Sequence, residues 1–224
     1  MRRLAAFLLL LTLAGRTAAQ QGPTHQWQFE ADHVRGNIVK PLAGALDASI
    51  AGPIRFSADK PRALLLDGNS KARHAVNVTA DLARAGLPAK DITAEAWVRV
   101  DKTHQWGGII GAFQHNGPYQ KGWLLGFNHG QFSFAVAARN SKKLTYLKAP
   151  TTFQTGFWYH VVGTYDGKEQ RIYVDGKLQA VARAQNGSID YPPRAFFSIG
   201  SIATTMSTGP SLASSNGSVS STAP

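Results

Sequence analysis

The chain has 224 residues, of which 43% are hydrophobic, with no cysteine and a formal net charge of +11. That length and apolar content support one domain with an ordinary hydrophobic core, or two small ones, and the lack of cysteine excludes disulfides, thiolate metal sites and cysteine nucleophiles. The basic excess suits an acidic partner (a sulfated or uronic polysaccharide, an anionic cell surface) or serves solubility alone; no helix-turn-helix, zinc-finger or RNA-recognition signature accompanies it, so nucleic acid is not expected as a partner.

The chain opens with Met1-Arg2-Arg3, an uncharged apolar run from Leu4 to Gly15, and the small residues Thr17-Ala18-Ala19. This is the three-part layout of a secretory signal peptide, with cleavage near Ala19. The apolar run falls short of the roughly 20 residues that a spanning helix needs, although an uncleaved anchor is the competing reading. The expected product is a secreted or periplasmic chain without a membrane span. Three regions follow from this: a signal peptide over 1–19, a folded domain over 20–201, and a Ser/Thr-rich low-complexity tail over 202–224.

Within the folded region, short strands alternate with Gly, Asn, Asp and Pro. Residues 25–29 alternate polar with aromatic, as a half-buried strand does. Residues 63–66 form an apolar run that ends in Asp67-Gly68-Asn69-Ser70, a turn. Residues 78–85 can make two helical turns, ended by Gly86 and Pro88. The cleanest alternation is over 93–100, with Ala94, Ala96, Val98 and Val100 on one face and Glu95, Trp97 and Arg99 on the other. Strands with interior glycines follow at 107–113 and 122–127, where Gly107-Gly108 suits a bulge. Residues 131–137 alternate again. Residues 158–165, 171–174 and 177–181 are rich in aromatic and β-branched side chains. They are separated by Asp166-Gly167 and Asp175-Gly176, dipeptides suited to tight hairpins. The expectation is an all-β antiparallel sandwich.

The order Ala63-Leu64-Leu65-Leu66-Asp67-Gly68, then Ile92-Thr93-Ala94-Glu95-Ala96-Trp97-Val98, then Trp158-Tyr159-His160-Val161-Val162-Gly163-Thr164-Tyr165-Asp166-Gly167 carries a resemblance. With Ile172-Tyr173-Val174-Asp175-Gly176-Lys177 and Phe197-Ser198-Ile199-Gly200, it resembles the laminin-G-like, concanavalin-A-like jellyroll family over about residues 25–201. The resemblance implies two packed antiparallel sheets of roughly six or seven strands each. It says less about ligand, because this fold hosts lectins, adhesion modules, glycosidases and spacers. The family pattern continues past the Ile-Gly step with an acidic-aromatic loop and a closing strand. Here Ser201 onward is not apolar enough for such a strand, so the final strand is expected to be missing, through a frameshift or truncation or because the tail is natively a linker.

Glycosidases of this resemblance cluster carboxylates on one strand, which places a nucleophile and an acid together. The glutamates here are Glu30, Glu95 and Glu169, far apart. Glu95 is expected to be structural and balanced by Arg99, and Asp166 and Asp175 to be turn residues. The histidines show no metal-binding spacing, and His160 reads as a packed strand residue. No catalytic function is expected. What remains is binding, for which sugar sites use aromatic faces with amides beside them. Trp106, Gln114, His115, Asn116, Tyr119, Asn128 and His129 have that composition. Trp123 shares it but, like Trp97, is as well explained by core packing. Calcium is a possible cofactor that the fold accommodates, with Asp47 and Asp67 as candidate ligands. The expected function is a secreted, non-catalytic module that binds carbohydrate, an anionic one in view of the charge. The alternatives are an accessory N-terminal domain of a larger secreted hydrolase, such as a metallophosphoesterase whose catalytic part is missing, and a structural spacer.

Overall fold

The structure, a computed structural model, describes residues 22–58, 63–66, 74–116, 119–141, 143–192, 195–200 and, as backbone, 217–220. Its strands in chain order are β1 (Gln26–Trp27), β2 (Val34–Arg35), β3 (Ile38–Val39), β4 (Pro41–Ala43), β5 (Ala48–Ala51), β6 (Leu64–Leu65), β7 (Ala75–Thr79) and β8 (Asp91–Val100). Then come β9 (Trp106–Asn116), β10 (Tyr119–Asn128), β11 (Gln131–Ala137), β12 (Thr145–Thr152), β13 (Trp158–Asp166), β14 (Gln170–Val174), β15 (Lys177–Ala182), β16 (Phe196–Ile199) and β17 (Gly217–Ser220).

These strands form a nine-stranded sheet, β12-β11-β10-β9-β16-β7-β5-β3-β2, and a six-stranded sheet, β15-β14-β13-β8-β17-β6; β1 and β4 pair apart from both. Every pairing is antiparallel. The all-β antiparallel sandwich is therefore as expected, but its larger sheet exceeds six or seven strands because β2, β3 and β5 extend it.

Alternation explains how the two sheets face each other. In β8, Ile92, Ala94, Ala96, Val98 and Val100 are buried while the residues between them are exposed or half-buried. Their inward side chains meet Phe127, Phe132 and Phe134 of the larger sheet in one contiguous core. Phe134 needs room that only glycine provides. A Cβ at Gly163 would lie 2.4 Å from the Phe134 ring, so β13 has no side chain where the ring of the opposite sheet rests. Gly107 makes the same allowance for Phe127, at 2.1 Å.

The Asp-Gly steps behave as turn chemistry predicts. Asp175 and Gly176 both take positive φ, 49° and 73°, and close the β14–β15 hairpin in two residues. Asp166 accepts hydrogen bonds from the backbone N–H groups of Lys168 and Glu169 and so shapes the β13–β14 loop.

Four expectations need correction. The two helical turns over 78–85 are instead the end of β7 and a short 3₁₀ turn, Leu82–Arg84. Backbone pairing of β7 with β5 and β16 outweighs the weak local helical preference. Glu95 is not balanced by Arg99. It faces His160 at 3.5 Å, while Arg99 bonds Asp101 at 2.9 Å and lies over the Trp158 ring. Trp97 is not a core residue. It points outward from the six-stranded sheet and stacks on His160, with centroids 5.1 Å apart, whereas Trp123 is buried.

The slot expected to lack a closing strand is occupied. β17 pairs with β8 from Gly217↔Val100 to Ser220↔Trp97, and with β6 through Ser218↔Leu65 and Val219↔Leu64. Sheet pairing uses main-chain groups that Ser and Gly supply as well as apolar residues do, so the composition of the tail was a poor guide. Asp67 lies outside the described residues. Among the described helices, none is long and apolar enough to cross a membrane.

Candidate functional site

The strands β9 to β12 form one half of the larger sheet, and their register sorts side chains between two faces. Ala112, Trp123, Leu125 and Phe127 point into the sandwich core. Phe113, Leu124, Ala135, Ala137 and Leu144 gather on the opposite, outer face, with Tyr146 packed against them. A register shift between Leu125 and Gly126 leaves Ile109 as an extra residue in β9. This bulge reverses the parity of the strand, so Trp106 joins the outer face although it stands seven residues from Phe113.

Three lateral rows of that face compose the site. The first is Trp106–Asn128–Gln131, the second Gly108–Gly126–Ser133–Lys148, and the third Gly111–Leu124–Ala135–Tyr146. The middle row is a floor of two glycines and a serine, all buried. From either side Trp106 and Tyr146 reach over it until their ring centroids are 5.2 Å apart, with the planes tilted by 58°. On the six-stranded sheet the exposed-side aromatic pairs are of another kind: Trp97 stacks on His160, and Arg99 lies over Trp158. Burial pushes the Tyr146 phenol up to about 12 from its ordinary 10.0.

Asn128 anchors the floor. It is 2% exposed, donates Nδ2–H to the Gln105 carbonyl at 2.8 Å, and accepts a hydrogen bond at Oδ1 from Lys148 Nζ at 2.5 Å. His129 is exposed at the tip of the β10–β11 turn, where it takes φ of 47° and donates its backbone N–H to the Gln105 carbonyl. The structure thus brings together Trp106, Asn128 and His129. Gln114, His115, Asn116 and Tyr119 lie at the far end of the β9–β10 hairpin, where His115 pairs with Gln120 and Asn116 with Tyr119. At about 3.3 Å per residue this end is some 25–30 Å from Trp106, so the two groups cannot share one small ligand.

Lys40 Nζ lies 2.5 Å from the Asp47 carboxylate, and no cluster of three or more His, Cys, Asp or Glu that could hold a metal occurs among the described residues. Tyr146 and Lys148 went unrecognised as site residues because β12 was not read as a strand. A signal for them does exist in the sequence. Between Asp101 and Asp166 the chain has no Asp or Glu, while Lys102, Lys121, Arg139, Lys142, Lys143 and Lys148 all fall there. That acid-free stretch is the one that folds into β9 to β12.

Comparison with known proteins follows the same outline. The family described as the concanavalin A-like lectin/glucanases superfamily matches residues 70–210. Pappalysin-1 of Mus musculus is 25% identical over 142 residues, which are 58% of this chain and 8% of that protein. Among solved structures, Trypanosoma rangeli sialidase in complex with sialic acid superposes with a TM-score of 0.58 at 17% identity, over 88% of this chain and 29% of that one. A structure of botulinum neurotoxin type C, whose cell entry is described as dependent upon interaction with two ganglioside molecules, gives a TM-score of 0.58 at 16% identity, over 88% and 46%. At such identities these structures show a shared fold alone.

Proposed function

The chain belongs to the concanavalin A-like lectin/glucanase superfamily, and on that premise we propose that it is a secreted, non-catalytic module that binds carbohydrate on the outer face of β9 to β12. The observation that carries the reading is the tilted Trp106–Tyr146 pair set over the Gly108–Gly126–Ser133 floor, with the Asn128 amide and the Lys148 ammonium beside it. Pyranose rings have apolar C–H faces that stack on aromatic rings and hydroxyl edges that need fixed polar groups. A glycine floor lets a ring-shaped ligand lie close to the sheet. The partner class is a polysaccharide or a cell-surface glycan. Among the described residues, Glu95 and Glu169 are engaged by His160 and by Arg171 and Arg183, in keeping with structural rather than catalytic carboxylates.

The test is a glycan array probed with the secreted chain and with Trp106→Ala. Saturable binding to at least one glycan class, lost by about tenfold or more in the variant, is the expected result. Binding that survives Trp106→Ala would move the site elsewhere, and no binding to any glycan would end the carbohydrate reading. Amino-terminal sequencing of the exported protein should begin at or near Gln20.

A second reading is an accessory domain of a larger secreted hydrolase. It has one observation in its favour, that the matched stretch makes up 8% of pappalysin-1, which places such a domain within a much longer protein. Reading the genomic sequence onward from the Gly200 codon for a metal-binding His/Asp frame tests it directly.

A further inference from the structure

We infer that the outer face of β9 to β12 selects acidic glycans, and that Lys148 is the group that meets the carboxylate or sulfate of the sugar. This rests on the carbohydrate reading above and assigns the charge preference of the same site. Several basic side chains of the described sheets and loops are paired with carboxylates: Lys40 with Asp47, Arg99 with Asp101, Lys121 with Asp190, and Arg171 and Arg183 with Glu169. Lys148 is instead held by a buried amide. Among the described residues its Nζ meets no carboxylate, and the partner it has is the neutral amide oxygen of Asn128.

An ammonium carries three donors, and an acceptor bearing full negative charge satisfies it better than a neutral amide oxygen does. Asn128 is itself locked in place, being buried and bonded through Nδ2 to the Gln105 carbonyl. It therefore holds the ammonium at the floor in advance, which lowers the ordering cost of binding. Lys148 sits in the glycine row, one row from Tyr146 and on the same face, so a sugar stacked on the Trp106–Tyr146 pair can bring an acidic substituent within reach. The absence of Asp and Glu from 102 to 165 means that these strands present nothing that repels such a ligand. Lysine is a point charge rather than a planar fork, so carboxylate and sulfate are both acceptable chemistries.

The test is calorimetric titration of the secreted chain with three octasaccharides: polygalacturonate (carboxylate), heparin-derived (sulfate) and cello-oligosaccharide (neutral). The expected result is that at least one acidic probe binds about tenfold or more tighter than the neutral one, and that K148Q removes most of this preference, about five- to twentyfold, by weakening the acidic probe far more than the neutral one. The contrast between the two acidic probes identifies the substituent. N128D supplies an internal carboxylate to Lys148 and should reproduce the loss. Because Lys148 is exposed, K148Q is expected to fold, and thermal unfolding checks this. Equal binding of acidic and neutral probes, unaffected by K148Q, overturns the inference while leaving the carbohydrate reading standing. A loss from K143Q as large as that from K148Q overturns the assignment to Lys148 in favour of diffuse charge. No binding of any of the probes, on an array-negative protein, overturns both.

Discussion

Gly163→Ala tests the sandwich packing most directly. Gly163 lies within β13 between Ala94 of β8 and Ile172 of β14, and an added Cβ would stand 2.4 Å from both Cδ2 and Cγ of Phe134 and 2.9 Å from Cδ1. Carbon atoms need about 3.5 Å, so the ring must retreat by about 1 Å. Phe134 is fully buried, and its retreat would push into a core packed at crystal-like density. Overpacking of this kind costs about 1–3 kcal/mol. Removing a glycine from a strand returns about 0.5–1 kcal/mol of unfolded-state entropy. The net expectation is a destabilisation of about 1–2 kcal/mol, read in urea as a lower midpoint at unchanged slope, with Tm lowered by about 2–8 °C. Phe134→Leu in the same chain should relieve the clash, so that the double variant loses about 1 kcal/mol less than the two single losses added together. If Gly163→Ala leaves the midpoint unchanged or raises it, the Phe134 ring does not rest on that glycine and the facing of the two sheets is wrong.

Further outcomes follow from polar groups. The Tyr146 phenol is raised to about 12 by burial; the folded state favours its protonated form, so the associated stability is whole below about pH 10 and is lost as pH rises towards 12. Alkaline absorbance titration should show a step near 12 that disappears in Tyr146→Phe. The Asp166 carboxyl is held below its ordinary value, first by the backbone N–H of Glu169, then by that of Lys168, with Arg171 adding to this. Its contribution is present above about pH 4 and is lost as pH falls through the lowered value, so Asp166→Asn should flatten the acid limb of the stability curve. Gln185 is buried; it accepts from the Ala138 N–H and donates to the Lys143 carbonyl and to Thr145 Oγ1. Gln185→Ala should cost about 2–3 kcal/mol and speed hydrogen exchange in the β11–β12 loop above all.

The parts of the fold that were legible in the sequence share a physical cause. β8 alternates strictly because one of its faces is core and the other solvent, and the β13–β15 meander is punctuated by Asp-Gly steps that tight turns demand. β12 escaped notice because it is an edge strand. Thr145–Thr152 carries Lys148 and Pro150, which edges tolerate and which blur alternation. The short amphipathic run before Gly86 misled because local preference cannot anticipate pairing with strands distant in the chain. The site was legible only in part. Trp106 and Asn128 were found by composition, but their grouping with Ser133, Tyr146 and Lys148 depends on ladder register, on the register shift between Gln131 and Ser133 and on the bulge at Ile109. Without that extra residue, Trp106 would face the other way. Composition also drew in the distant hairpin end, because closeness along a hairpin in sequence does not measure distance along its length.

The position of β16 bears on how the chain reaches this structure. Phe196–Ile199 lies between β9 and β7, so the half-sheet β5–β7 and the half-sheet β9–β12 are joined through a strand made only after β8 to β15. The hairpins β9–β12 and β13–β15 are local and can form early, but β7 and β9 lack a neighbour on their facing margins until β16 arrives and Phe197 sits against Trp27 and Trp123. Pairings this remote in sequence are slow to form. During synthesis two apolar sheet margins stay open until nearly the whole domain has emerged, an interval in which such chains are prone to associate with one another. β16 therefore acts as a latch, and rates of folding should respond more to changes at Phe197 than to changes anywhere in the hairpins it brings together.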